Sequence, residues 1–144
     1  MADRVRRPQR FDDFLSELTK GREVFQTYKD ALVFAACLGF KRGRKVQFDK
    51  TGEPINLHTF SGQFDAAVMN AIAIADVGDP FVMANNREEE KIRIFEEYAC
   101  GGLEIMEGLL GQAQLSRHEA LSALIMDEEK SGGILDIITG LAKG

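Results

Sequence analysis

The regular spacing of apolar residues over 92–110 constrains the fold more than any other feature of the chain. Ile92, Phe95, Ala99, Leu103, Met106 and Leu110 are separated by 3, 4, 4, 3 and 4 residues. This spacing is the period of one face of an α-helix, and Asn86 followed by Glu89 three residues later is typical of a helix N-terminus. The pattern therefore predicts the longest helix of the chain, with a buried stripe along it.

Gly101 and Gly102 fall in the middle of this stripe. Two glycines lower helix propensity by roughly 2 kcal/mol relative to alanine. We therefore expect either that another backbone packs closely against them or that the helix kinks there.

Apolar residues at helical spacing predict further helices. The expected segments are about 11–20, ending at Gly21; 27–38, capped by Thr27 and ending at Gly39; 61–77, capped by Ser61, with Phe64 and Ile72 on the buried face; 116–126; and 134–141. A short helical turn is expected at 81–84. Hydroxyl side chains can accept hydrogen bonds from the free N–H groups of a first turn, and glycine suits the left-handed residue that ends a helix.

The periodicity changes between residues 45 and 57. Residues 45–48 and 54–57 alternate around the turn sequence 49–52, which predicts a short, marginal β-hairpin; an irregular loop fits the same residues. We therefore expect a mainly α protein, a single compact helical domain of five to six helices with at most one short β-hairpin near residues 45–57. Residues 1–10 form a basic N-terminal arm, and residues 11–144 form the helical domain.

Composition excludes several classes of protein. No apolar run approaches the roughly 20 residues that span a bilayer, and the first ten residues lack the apolar stretch of a secretory signal, so we expect a soluble, cytoplasmic protein without a membrane partner. Cys37 and Cys100 have no CxxC or Cys/His spacing. We expect buried thiols rather than a disulfide framework or a zinc site.

Charge is unevenly distributed along the chain. Residues 1–50 hold 12 Lys and Arg against 7 Asp and Glu, whereas residues 51–144 hold 6 against 16. The basic residues form two clusters: Arg4, Arg6, Arg7 and Arg10, then Lys41, Arg42, Arg44 and Lys45. Such clusters are typical of a surface that binds a polyanion, with arginines as phosphate clamps. The alternatives are a protein partner, a contact between two copies of the chain, pairing with the acidic half within the molecule, or simple solvation.

Catalytic signals are weak by comparison. Glu90, Glu97 and Glu104 repeat every seven residues on one helix face, but neither an ExxH pair nor a second acidic helix accompanies them, so we interpret them as a solvated face. His58 and His118 have no Ser or Cys at the spacing of a catalytic pair. No glycine-rich phosphate loop is present. We expect no catalytic residues, no cofactor and no metal.

Three stretches, 4–8 (RVRRP), 28–40 (YKDALVFAACLGF) and 94–104 (IFEEYACGGLE), resemble a small bacterial family. This is the fourth type of Dnd-system-associated protein, an accessory encoded with DNA phosphorothioation genes. The resemblance covers most of residues 4–110, and it implies a role in the modification of DNA or in its linked restriction defence. Because the chain has no exposed reactive cysteine, iron–sulphur spacing or nucleotide loop, it would be an accessory rather than the modifying enzyme.

Two hypotheses follow. In the first, this accessory protein contacts DNA phosphates through the eight residues of the two basic clusters. In the second, it is a protein-interaction or homodimer scaffold module for larger proteins of the system, without direct DNA contact. An enzyme that uses Glu97, Glu104 or a histidine would need those side chains to converge in a pocket. The first hypothesis depends on the fold. If residues 4–10 and 41–45 lie on opposite sides of it, the hypothesis loses its main support.

Overall fold

The computed structural model describes residues 3–22, 24–112 and Ile125. The helix expected at 134–141, the histidine at position 118 and all but Ile125 of the helix expected at 116–126 lie outside the described residues. The elements are β1 (Arg4–Val5), α1 (Asp12–Thr19), α2 (Tyr28–Arg42), β2 (Ile55–Asn56), α3 (Gln63–Val77) and α4 (Glu88–Gln112), with short 3₁₀ turns between them. The prediction of a mainly α fold is confirmed, although the described part holds four α-helices, slightly fewer than expected.

The long helix α4 is the centre of the core. All six residues of the predicted stripe are buried, which confirms the pattern. The helix begins at Glu88, directly after a 3₁₀ turn over Asn85–Arg87, so Asn86 lies inside that turn rather than at the expected cap. In the part of the chain that the structure describes, no helix has the length and apolar character needed to cross a bilayer.

Helices α2 and α4 pack backbone to backbone. A Cβ added at Gly102 would lie 1.7 Å from the carbonyl oxygen of Ala35, and one added at Gly39 would lie 2.1 Å from the carbonyl oxygen of Tyr98. No side chain fits in such a space. Close approach of another backbone is therefore the reason for the glycine pair in α4.

The predicted end of α2 at Gly39 is wrong. The helix is capped at its start by Thr27 as expected, but it runs on to Arg42 and ends at Gly43, which has the left-handed conformation (φ 66°). Gly39 is needed inside the helix for its contact with α4, so its lack of a side chain serves packing and not termination.

The start and the buried face of α3 also differ from the prediction. The N-cap is Gly62, without a side-chain cap, while the N–H of Ser61 closes the preceding turn onto the carbonyl of His58. Phe64 is exposed, and the buried positions begin with Asp65, whose carboxylate accepts a hydrogen bond from Lys29 Nζ at 2.7 Å. In the first turn of α3, Asp65 therefore faces the core side and Phe64 faces outward.

Residues 3–22 and 24–112 contain one two-stranded antiparallel pair. Its second strand, β2, lies inside the predicted region, but its partner is β1, with Val5 opposite Ile55. Residues 44–50 have no regular secondary structure, as the irregular-loop alternative predicted. The strand β2 pairs with β1 and not with residues 45–48, because this arrangement covers the Val5 side chain completely.

Both cysteines are buried and unpaired, as expected. Burial raises the pKa of the Cys37 thiol to about 12 and raises that of Cys100 as well. Neither thiol is prepared to act as a nucleophile.

Candidate functional site

The N-terminal residues are anchored against the helices, and this anchoring positions the first basic cluster. Val5, Pro8 and Phe11 are buried. Backbone hydrogen bonds tie the same segment to the loop before β2, from Gln9 N–H to the carbonyl of Lys50 (3.0 Å) and from the N–H of Gly52 to the carbonyl at position 7 (3.0 Å). The arginines of this cluster are therefore held in fixed places.

The second basic cluster is positioned by the glycine pair of α4. A Cβ at Gly101 would lie 1.9 Å from the carbonyl oxygen of Arg44, so the chain after α2 crosses α4 at this point. The N–H of Val46 then donates to the carbonyl of Glu97 at 3.0 Å. This crossing places Arg44 and Lys45 over the acidic face of α4.

Arg6 is bound to a buried carboxylate. Its guanidinium donates to Glu96 at 3.0 and 3.1 Å, its backbone N–H binds the same carboxylate, and it lies 5.1 Å from the ring centre of Phe48. Glu96 is only 3% exposed. Burial raises the pKa of Glu96 despite the bonds from Arg6.

Arg7 is largely covered, with 11% of its side chain exposed. Its guanidinium pairs with Asp12, donates to the carbonyl of Glu53 at 2.8 Å and lies 4.9 Å from the ring centre of Tyr28. These contacts fasten the arm to α1 and α2, so Arg7 has a structural place.

Arg10 and Arg44 meet on one carboxylate. Arg44 donates to Oε1 of Glu104 from Nε (2.9 Å) and Nη2 (2.6 Å), and Arg10 donates from Nη2 to Oε2. The arginine side chains remain 53% and 54% exposed, whereas that of Glu104 is 19% exposed. Burial alone would raise the pKa of Glu104, but the hydrogen bonds from both arginines outweigh it and lower the pKa. Arg10 of the first basic cluster and Arg44 of the second therefore meet on one face, where Glu104 joins them.

Lys45 closes a second polar group on the same side. Its Nζ binds Asp76 at 2.9 Å, lies 3.9 Å from Glu97 and lies 5.6 Å from the ring centre of Tyr98. The Tyr98 hydroxyl donates to Asp76. Burial opposes ionisation of Asp76, but these two hydrogen bonds prevail and lower its pKa.

Three candidate residues remain. Arg4 has a side chain that is 60% exposed and 4.0 Å from Asp3; Lys41 and Arg42 form the last turn of α2. We use the name basic face for Arg4, Arg6, Arg10, Lys41, Arg42, Arg44 and Lys45. Arg10 also lines a cavity of about 380 Å³ together with Lys50, Gln9, Gln47 and Phe48.

The interpretation of Glu90, Glu97 and Glu104 as one solvated face is wrong for two of the three. Glu97 is buried and Glu104 is largely covered, because the loop after α2 and the N-terminal arm lie over them. Only Glu90 keeps a local surface partner, Arg87, at 2.9 and 3.0 Å. The charge split indicated that the acidic half of the chain could pair with the basic clusters, but the sequence did not identify the individual partners.

Among the residues described, no three or more His, Cys, Asp and Glu side chains are grouped in a way that could hold a metal ion. His58 is exposed in a 3₁₀ turn, at the edge of a cavity of about 490 Å³ that also contains Glu88 and Lys91. The carboxylates Glu97 and Glu104 are engaged elsewhere, each beside a cation.

A family model described as DNA sulphur modification system-associated protein 4 matches residues 4–136. The match confirms the resemblance carried by residues 4–8, 28–40 and 94–104. No curated protein and no solved structure matches the chain.

Proposed function

Since the chain belongs to the family of DNA sulphur modification system-associated protein 4, we propose that it is an accessory protein that contacts DNA phosphates through the basic face. It would act in the bacterial cytoplasm, in the phosphorothioate modification of DNA or in the restriction defence linked to it. Other proteins of that system would be its partners.

One observation carries this proposal: Arg10 and Arg44 come from distant parts of the chain, converge on Glu104 and remain about half exposed. Guanidinium forks bind phosphate oxygens in the same way that they bind carboxylates. Contacts of this kind position a protein on the DNA backbone and carry no sequence information. The expected binding is therefore indifferent to base sequence.

Internal ion pairs limit the strength of this binding. Arg6, Arg10, Arg44 and Lys45 each have a carboxylate partner within the molecule. A DNA phosphate must compete with these partners, so we expect modest affinity that falls steeply as salt rises.

The test is a salt series of fluorescence anisotropy titrations with a labelled DNA duplex. Arg44→Glu reverses one charge of the basic face, and we expect it to remove most of the binding and to make the dependence on salt shallower. Arg87→Glu is the matched control, because Arg87 is also paired with a glutamate of α4, Glu90, about 21 Å along the helix from Glu104. Equal losses in the two variants, or binding that does not respond to salt, would contradict the proposal.

A second candidate function is the scaffold hypothesis, a protein-interaction module or homodimer without DNA contact. Exposed aromatic side chains favour it: Phe81 is 74% exposed and Phe64 is 55% exposed, near opposite ends of α3. Sedimentation at two salt concentrations, with wild type and Phe81→Ser, separates the two functions. If wild type and Phe81→Ser are both monomeric and neither captures another protein of the system, this second function is contradicted.

We also propose that the protein has no catalytic activity of its own. The buried cysteines and the ion-paired carboxylates support this, because none of these groups is free to act as nucleophile or base. Turnover of phosphorothioated DNA by the purified protein, lost on Glu97→Gln or Glu104→Gln, would overturn it.

A further inference from the structure

Glu104 has an unusual place among the carboxylates of this surface. It is the shared partner of two arginines that are 34 positions apart in sequence, and each arginine takes a different oxygen of the carboxylate. Two arginines on two oxygens is also the arrangement expected around the two non-bridging oxygens of one phosphodiester.

We propose that Arg10 and Arg44 form a preformed site for a phosphate-type oxyanion, and that Glu104 occupies this site as an internal competitor until the anion displaces it. The inference rests on the proposed function where the anion is part of DNA. The site itself is defined for any anion with two oxygens in this geometry.

The surroundings of the two arginines favour exchange over a permanent ion pair. Stacking of the Arg10 guanidinium 4.5 Å from the ring centre of Phe11, beside Cys100 Sγ at 3.6 Å, holds it in position independently of Glu104. The crossing of the loop over Gly101 fixes the backbone at Arg44 in the same way. The Arg10 donor is thus held by contacts other than Glu104, and the backbone that carries Arg44 is fixed beside it, so an incoming anion finds the two arginines already close together.

Competition has a measurable signature. Removing the charge of Glu104 leaves two oriented guanidinium groups without their partner, so an anion no longer has to displace a carboxylate. For DNA, wild type and Glu104→Gln form the same phosphate contacts once Glu104 is displaced, so the gain is in affinity at a given salt concentration and not in the slope of log K against log salt. The same change of net charge at another place on the helix would not produce this gain.

The experiment compares wild type, Glu104→Gln and Glu90→Gln in two assays. Glu90→Gln is the matched control, since it removes the same charge from a glutamate that binds an arginine on the same helix. The first assay is thermal unfolding with increasing inorganic phosphate, and the second is the DNA titration at several salt concentrations. We expect Glu104→Gln to be stabilised by phosphate more than the other two proteins and to bind DNA at least several-fold more tightly at each salt concentration.

Four outcomes are distinguishable. Equal behaviour of Glu104→Gln and Glu90→Gln in both assays overturns the inference, even if wild type binds DNA through Arg44 as proposed above. A gain in phosphate stabilisation or in DNA affinity that persists when Arg10 and Arg44 are both replaced by Gln in the Glu104→Gln protein also overturns it. Phosphate stabilisation without DNA binding supports the anion site and contradicts the DNA function. If Glu104→Gln does not fold, Glu104→Ala is measured in its place, and the same comparison with Glu90→Gln decides.

Discussion

Glu96 shows most clearly, at the scale of single residues, how the arm and the helices depend on each other. A carboxylate that is 3% exposed is costly to ionise, and Arg6 is the cation that accompanies it. The raised pKa of Glu96 indicates that burial still outweighs this compensation. The first role of Arg6 is therefore to stabilise the folded protein, and any role in binding is secondary.

Arg6→Leu tests this dependence. We expect a loss of about 2 kcal/mol or more in the free energy of unfolding, because Glu96 keeps only a backbone donor from the arm. In a protein that already carries Glu96→Gln, the same change should cost less than about 1 kcal/mol. Urea unfolding of the four proteins of this cycle gives the coupling energy, and two equal costs would contradict the prediction.

The lowered pKa of Glu104 predicts how the stability of the protein changes at acidic pH. The pKa of Glu104 in the folded protein lies below the ordinary value of 4.5, so the charged carboxylate contributes stability above that value, and the contribution is lost as pH falls through the lowered pKa. Below about pH 4.5, stability should therefore decline less steeply in Glu104→Gln than in wild type. Urea midpoints at several pH values check this, with Glu104→Asp as a charged control. Parallel curves for wild type and Glu104→Gln would contradict the assignment.

At the scale of elements, the contact between α2 and α4 dominates the fold. Gly102→Ala places a Cβ where the backbone of Ala35 already lies, so we expect a loss of more than about 3 kcal/mol or failure to fold. Gly108→Ala is the control on the same helix, because nothing lies within 4 Å of its added Cβ. That change should stabilise the protein by about 0.5–1 kcal/mol through helix propensity. Thermal unfolding of both variants gives the comparison, and similar effects would contradict the packing role of Gly102.

Helices were more predictable from sequence than their ends. The buried stripe of α4 follows from local periodicity, and Thr27 marks the start of α2 because a cap is a local interaction. The predicted helix end at Gly39 was wrong because a glycine that ends a helix and one that admits another backbone look the same in a single sequence. The predicted burial of Phe64 was wrong because the inward position is taken by Asp65, which pairs with Lys29, 36 positions away.

At the scale of the whole molecule, the basic first part of the chain is folded against the acidic second part. The sequence shows both charges but not their pairing, since Arg6 and Arg10 meet partners 90 and 94 positions away. The same holds for β2, whose position was predictable and whose partner strand was not. Contacts at such separation depend on the complete fold.

Removing residues 1–7 tests how much the arm contributes to the whole. The truncated protein loses the buried Val5 and leaves Glu96 without its cation, so we expect it to be less stable by at least about 3 kcal/mol. Arg4→Ala is the control, because its side chain is mostly exposed and should change stability by less than about 0.5 kcal/mol. Circular dichroism melts of the two proteins are the measurement. A truncated protein as stable as wild type would show that the arm is dispensable for folding.

The long sequence separation of these ion pairs also affects the protein while it is being made. Arg6 and Arg10 leave the ribosome first, whereas Glu96 and Glu104 are added about 90 positions later. At synthesis rates of about 5–20 residues per second, that delay is roughly 5 to 20 seconds. During this time the nascent arm has none of the acidic partners that α4 later supplies. The arginines of the arm therefore carry positive charge that no carboxylate of α4 balances during this time, and completion of α4 ends that period.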